Sequence, residues 1–289
     1  MSLVIDDVLI RHDPVGEPVP VVLDSPHSGT KYPPEFDFIC PLALLRQAED
    51  THVDELFGLA PDHGAALLCA LFPRSFLDVN RAEDDIDPAL LADPFPGRLN
   101  PSEKSRLGMG LVRTLCRPGM PMYDGKLTSA QVAARIERYW RPYHEELAGM
   151  ISRVRDRFGV VWHLDCHSMP CLSGPGDWPE HRVDFVLGDR DGTTCDPHFT
   201  RFVAEQLRSM GYRVKLNDPY KGVELVRRYS NPAEGMHSLQ VEVCRRLYMD
   251  EETLEKHDGF EPLRRNLTEL VRRIGIYARE RVLSRAAAE

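Results

Sequence analysis

The sequence predicts a layered α/β fold around a largely parallel sheet. Three observations carry that reading. Short apolar runs alternate with segments of helical period. Two of the apolar runs stop abruptly at stretches rich in histidine, aspartate and serine. A composition of 42% apolar and 28% charged residues can fill a sizeable core in a chain of 289 residues. We read residues 1–289 as one domain, which the length allows without requiring.

Strands are expected near 19–24, 65–72, 160–164, 183–187, 212–216 and 238–243. The first, Pro20-Val21-Val22-Leu23, gives way to Asp24-Ser25-Pro26-His27-Ser28-Gly29. Residues 84–123 carry Pro88, Pro94, Pro96, Gly97, Pro101, Gly108, Gly110, Pro118, Gly119 and Pro121 with no sustained period, so they read as a long excursion and a candidate active-site cover. From the cap Thr128, Val132, Ile136, Tyr139, Tyr143, Leu147, Met150, Ile151, Val154 and Phe158 recur at helical spacing until Gly159. Pro142 lies inside that helix, and a kink or break near Arg141 is expected.

The next strand, Val160-Val161-Trp162, runs into His163-Leu164-Asp165-Cys166-His167-Ser168. A second helix opens at Asp196-Pro197, with Phe199, Phe202, Val203, Leu207 and Met210 on its core face, and closes at Gly211. In Leu239-Gln240-Val241-Glu242-Val243 alternation sends Gln240 and Glu242 to one face and the valines to the other. The tail 284–289 reads as a fraying helix end.

The net charge of −9 argues against a nucleic-acid-binding surface, and no apolar run reaches the length of a membrane span. Met1-Ser2-Leu3-Val4-Ile5-Asp6-Asp7 lacks the pattern of a signal peptide, so a cytoplasmic protein is expected, with a small molecule as partner. Seven cysteines without a CxxC pair read mostly as buried thiols.

In an open α/β sheet the ligand crevice lies beyond the carboxyl ends of the strands, where His27 and His167 can converge. Asp50 in Ala48-Glu49-Asp50-Thr51-His52-Val53-Asp54 adds a carboxylate, and two imidazoles with one carboxylate form a catalytic zinc set. Glu49, His52 and Asp54 stand close enough in sequence to take the place of Asp50. A carboxylate within an apolar strand is costly unless paired or near a metal, which makes Glu242 the candidate general base; the alternative is a salt bridge, for example with Arg227. Asp165 either fixes the tautomer of a ligand imidazole or caps the strand end. Cys166 points away from its neighbour His167, which disfavours a thiol nucleophile, and Trp140 reads as core.

These blocks together resemble the N-formylglutamate amidohydrolase family. The resemblance runs through Ser25-Pro26-His27-Ser28-Gly29, Glu49-Asp50 with His52, Arg74-Ser75-Phe76-Leu77-Asp78-Val79-Asn80-Arg81, Tyr139-Trp140-Arg141-Pro142-Tyr143-His144, Asp165-Cys166-His167-Ser168, Leu187-Gly188, Tyr220-Lys221-Gly222, Arg227 to Gly235 and His237 to Glu242. Gly222-Val223 and Ser230-Asn231 stand where the family more usually has Gly-Gly and Gly-Asp.

The resemblance implies a three-layer αβα sandwich of zinc-carboxypeptidase type, with a mostly parallel or mixed sheet. It implies hydrolysis of an N-formyl amino acid, with zinc on His27, Asp50 and His167, and Glu242 activating water. Histidine degradation is the pathway it suggests. A substrate with two carboxylates calls for guanidinium forks, so Arg74, Arg81 and Arg227 are candidate binders, with Asn80 and Tyr229 adding hydrogen bonds. His237 either stabilises the oxyanion or caps its strand. The alternatives are an amidase for another N-acyl amino acid or small peptide, and a catalytically silent metal- or ligand-binding protein.

Overall fold

The computed structural model describes residues 2–171 and 183–286. Ten strands are present among them: β1 (Ser2–Ile5), β2 (Leu9–His12), β3 (Val21–Ser25), β4 (Ala66–Ala70), β5 (Leu115–Arg117), β6 (Met120–Pro121), β7 (Val161–Met169), β8 (Phe185–Gly188), β9 (Val214–Leu216) and β10 (Met236–Cys244). The α-helices are α1 (Leu42–Arg46), α2 (Val53–Leu56), α3 (Glu103–Arg106), α4 (Ser129–Arg135), α5 (Arg141–Phe158), α6 (Pro197–Ser209), α7 (Glu224–Arg228) and α8 (Phe260–Ala286). The last three residues of the expected fraying tail lie outside the described residues.

Eight strands form one mixed sheet in the order β1-β2-β4-β3-β7-β10-β8-β9. Its centre is parallel: β4, β3, β7 and β10 run the same way, while β2 and β8 pair antiparallel at either side. Their carboxyl ends therefore share one edge of the sheet. Alternation along the strands makes two apolar layers. Val21, Leu23, Leu67, Trp162, Leu164, Cys166, Leu239 and Val241 pack with α2, α6 and α8 on one face. Val22, Leu68 and Val161 pack with α4, α5 and α7 on the other. The result is a three-layer αβα sandwich.

The second face is not wholly apolar. Asp24, His163 and Ser238 lie on it, fully buried, and satisfy one another: His163 Nε2 meets Asp24 Oδ1 at 2.8 Å, His163 Nδ1 meets Ser238 Oγ at 2.7 Å, and Tyr143 of α5 donates to Asp24 Oδ2 at 2.7 Å. This polar row leads along β7 to Asp165 and His167. β7 continues to Met169, past the expected end near 164, because the parallel ladder with β10 runs on to Cys244↔Met169 after the pairing with β3 stops at Asp165.

Thr128 closes a capping box with Gln131, and Gly159 ends α5 in the left-handed conformation. Between α4 and α5 the backbone widens into a π-helical segment, Ile136–Trp140, so the expected break is a wide turn. Pro142 then falls in the first turn of α5, where its missing N–H costs little. Residues 84–123 are more ordered than their composition suggested, with a 3₁₀ turn Pro88–Leu90, α3 and the β5–β6 hairpin. The exposed edge strand β1 and its partner β2 were not expected, because two four-residue strands leave little apolar pattern.

Candidate active site

Three central strands deliver the site. His27 follows the end of β3, His167 lies near the end of β7, and Glu242 sits beside His167 in the register of β10. The turn after His27 needs Gly29, because a Cβ there would fall 2.4 Å from Leu71 C and Phe72 O. Asp50 comes from the turn before α2, its N–H donating to His27 O at 3.0 Å.

The ligand atoms converge. Nδ1 of His167 lies 2.9 Å from Oδ2 of Asp50 and 3.1 Å from Nδ1 of His27, and Nδ1 of His27 lies 3.3 Å from the same oxygen. All three residues are buried, and among the described residues this is the one group of histidine, cysteine and carboxylate atoms arranged to hold a metal ion. Glu49 instead meets Tyr32 and Arg46, and His52 meets Glu55 and Leu254 O. His27 donates Nε2–H to Asp78 Oδ1 at 2.7 Å, which leaves its Nδ1 as a lone pair facing inward. Lone pairs aimed at one point repel unless a proton or cation sits between them. A tetrahedral ion with bonds of about 2.0–2.1 Å sets its ligands roughly 3.3 Å apart, so the donor set fits a divalent cation.

Surrounding residues fix this geometry. Asp78 accepts from His27, from the N–H of Asn80 at 3.0 Å and from Arg74 Nη2 at 2.8 Å. Arg245 is buried behind Asp50: it donates to Ser168 Oγ at 3.1 Å, Gln47 O at 2.9 Å, Glu49 O at 2.6 Å and Asp50 Oδ1 at 3.3 Å. One carboxylate oxygen of Asp50 is thereby held back and the other presented to the imidazoles. Asp165 Oδ1 stands 2.7 Å from His167 Nε2, yet neither of its oxygens makes a hydrogen bond, so it acts on the ring as a buried charge. Asn80 Nδ2 also approaches that nitrogen, at 3.1 Å, while its Oδ1 accepts from Leu225 N.

Electrostatics follow from this burial. Desolvation would raise Asp50, but the close imidazoles of His167 and then His27 outweigh it and hold the carboxyl well below its ordinary value. Desolvation would lower His167, but Asp165 and then Asp50 hold it well above. Burial pushes Glu242 up to about 7, where a carboxyl can both take and return a proton. Gln240 Nε2 donates to Glu242 Oε1 at 2.7 Å, which leaves Oε2 for that exchange.

A cleft of about 720 Å³ opens over these groups, a volume suited to a small molecule. Arg74, Asn80, Arg81, Tyr220, Lys221, Gly222 and Val223 line it, together with Lys104, Met109 and Arg113 from the 84–123 segment. Three sequence-predicted residues lie elsewhere. Arg227 turns into a neighbouring recess of about 550 Å³ and forks onto Glu224 at 2.8 and 2.9 Å. Tyr229 bonds His144 behind the sheet. His237 stacks on Trp162 and accepts from Asp196 N at 3.2 Å, five residues back along β10 from Glu242 and thus roughly 16 Å from it. Cys166 is buried in the opposite apolar layer.

Sequence reasoning missed Asp78, Arg113 and Arg245. Only Arg245 carried a signal, since it follows the carboxyl end of an apolar strand just as the histidines do.

Fold and site together define an amidohydrolase of αβα architecture. The chain belongs to the N-formylglutamate amidohydrolase family, whose model matches residues 19–249. It is similar in structure to the N-formylglutamate amidohydrolase of Ralstonia eutropha JMP134, with a TM-score of 0.90 and 48% identity over 95% of this chain and 99% of that one. It is 30% identical over 273 residues to the N-formylglutamate deformylase of Pseudomonas aeruginosa, covering 91% and 95% of the two chains. To that of Pseudomonas putida it is 29% identical over 241 residues, covering 81% and 83%.

Proposed function

We propose that this protein hydrolyses N-formyl-L-glutamate to formate and L-glutamate, as a single domain, with a zinc ion held by His27, Asp50 and His167. The observation that carries the reading is the buried convergence of those three ligand atoms beside Glu242, within a cleft rich in arginine. When bound, the ion supplies a Lewis acid for the formyl carbonyl and lowers the pKa of water toward about 7.

The chain's own residues do the rest. Glu242 takes a proton from the attacking water at Oε2 and returns it to the amide nitrogen as the C–N bond breaks. Arg74 lines the cleft and donates to Asp78, the carboxylate that holds His27, which supports a role at the reacting end as the group that stabilises the oxyanion. Arg81 holds the α-carboxylate. Asn80 and Asp165 keep His167 in place, and Asp78 does so for His27. The buried thiols Cys40, Cys69, Cys166, Cys195 and Cys244 suit the reducing cytoplasm, where we place the reaction.

The test is formate release by metal-reconstituted protein from N-formyl-L-glutamate, N-acetyl-L-glutamate and N-formyl-L-leucine. Selective turnover of the first is expected. Preference for either of the others would reassign the substrate, and no turnover with the ion bound would overturn the enzymatic reading.

A further inference from the structure

The cleft holds more positive charge than its own residues neutralise. Arg74 gives Nη2 to Asp78, and Arg245 spends its donors on Gln47, Glu49, Asp50 and Ser168. Arg81 and Arg113 line the same space. In each, Nε is buried without a partner, and among the described residues neither guanidinium has a hydrogen bond or an ion pair. A desolvated cation with no counter-ion is costly, so its persistence at a cleft wall points to an anion that arrives with the ligand.

Arg113 is the better defined of the two. Its loop is tied to the site: Leu111 N donates to Asp85 O at 2.9 Å, and Asp78 N donates to Leu111 O at 2.8 Å. Leu111 and Val112 are buried, and a Cβ on Gly110 would fall 2.3 Å from Ser105 Oγ, so the loop packs too closely to drift. Desolvation and then Arg74 push the Arg113 guanidinium down to about 10. Of the charges around it, Arg74 acts most strongly, followed by Asp78, Arg81 and Asp50. Arg74 is tied to the ligand cluster by Asp78, which also holds His27, whereas Arg113 reaches the cleft wall from the 84–123 segment and bonds no ligand residue. Arg74 is therefore the inner of the two.

In an N-formyl dicarboxylic amino acid the α-carboxylate lies next to the scissile nitrogen and the side-chain carboxylate lies further out. We infer that Arg113 binds that side-chain carboxylate and sets the preference for a dicarboxylic N-formyl amino acid over its neutral side-chain amide. This rests on the hydrolase reading above and adds the residue that reads the substrate's far end. A planar fork on a rigid loop suits a carboxylate and has no counterpart acceptor for an amide N–H.

The experiment compares kcat/KM for N-formyl-L-glutamate and N-formyl-L-glutamine in the wild-type protein, Arg113→Met and Arg113→Lys. A ratio is used because the fraction of folded protein cancels in it. Hydrogen bonds to a charged group support a fall of about 100-fold in the glutamate-to-glutamine ratio for Arg113→Met, mainly through KM, with part of it restored by Arg113→Lys. A ratio left at the wild-type value in Arg113→Met would overturn the assignment. Calorimetric binding of L-glutamate and L-glutamine to the same proteins separates this outcome from failure of the hydrolase reading. If no substrate turns over but wild-type binding favours glutamate and Arg113→Met removes that preference, the anion site stands. Equal binding of the two by the wild type refutes it.

Discussion

Replacing Arg245 with methionine keeps most of the side-chain volume and removes the guanidinium behind Asp50, leaving Ser168 Oγ, at 3.3 Å, on Asp50 Oδ1. Four acceptors lose a partner: Ser168 Oγ at 3.1 Å, Gln47 O at 2.9 Å, Glu49 O at 2.6 Å and Asp50 Oδ1 at 3.3 Å. Three of them belong to the short segment that carries the ligand carboxylate. Removing one partner of a buried ion pair costs about 3–5 kcal/mol, because the remaining charge is left without compensation. For Asp50 the loss is softened by His167, whose Nδ1 lies 2.9 Å from Oδ2, so the expected destabilisation of the metal-free protein is about 3 kcal/mol. In a chain of this size that lowers Tm by roughly 5 °C. Asp50 would also be held less firmly, and loss of such an outer hydrogen bond weakens a metal site about 10- to 100-fold. Thermal unfolding of the metal-free protein measures the first effect, and competition with a chromophoric chelator measures the second. Wild-type zinc affinity in Arg245→Met would refute the claim that this arginine sets the ligand geometry, whatever the change in Tm.

Further predictions concern the same buried charges. His167 is held well above its ordinary value and Glu242 near 7, so metal binding at pH 7 should release about one proton from the first and about half from the second. Calorimetry in buffers of different ionisation enthalpy reads that number, and a value of zero would exclude a protonated His167 beside a half-protonated Glu242 in the metal-free protein. Linkage fixes the sign for stability. Both groups bind protons more tightly in the folded state, so their contribution is fully present below their unfolded values and is lost as pH rises through the folded ones, for Glu242 between about 4.5 and 7. Asp50 and Asp78 are held low, and their contribution is lost as pH falls below the ordinary aspartate range. The metal-free protein should therefore show its highest Tm at mildly acidic pH, and a maximum on the alkaline side would contradict this balance. Asp78→Asn removes the carboxylate that holds His27 Nε2–H and should weaken zinc binding about 10- to 100-fold, measured by the same chelator competition.

The parts of the fold legible in sequence were those encoded by local pattern. Period-2 alternation put Gln240 and Glu242 on one face of β10, and Thr128 and Gly159 bounded the α4–α5 stretch. The histidines at strand ends led to a shared edge because β3, β7 and β10 run parallel. What stayed hidden depends on distance along the chain. Asp78 is 51 residues from His27, and Arg245 is 195 from Asp50, and nothing in either neighbourhood announces the other. Arg113 lies in a proline- and glycine-rich stretch whose turns, not its periodicity, aim the side chain. His237 was misleading for a simple geometric reason: on an extended strand, five residues carry a side chain from one edge of the sheet toward the other. Arg227, next to Glu224 on one turn of α7, found a partner three residues away before it could reach the cleft.

The most direct test of a metal-dependent hydrolase is metal content and formate release from N-formyl-L-glutamate, measured side by side for the wild-type protein, His167→Ala and Glu242→Gln. The geometry of His27, Asp50, His167 and Glu242 predicts one ion per chain with turnover in the wild type, loss of both in His167→Ala, and a retained ion in Glu242→Gln with turnover lower by about 10²- to 10⁴-fold, the usual worth of a general base. Wild-type turnover in Glu242→Gln, or in a His167→Ala protein that holds no ion, would contradict it.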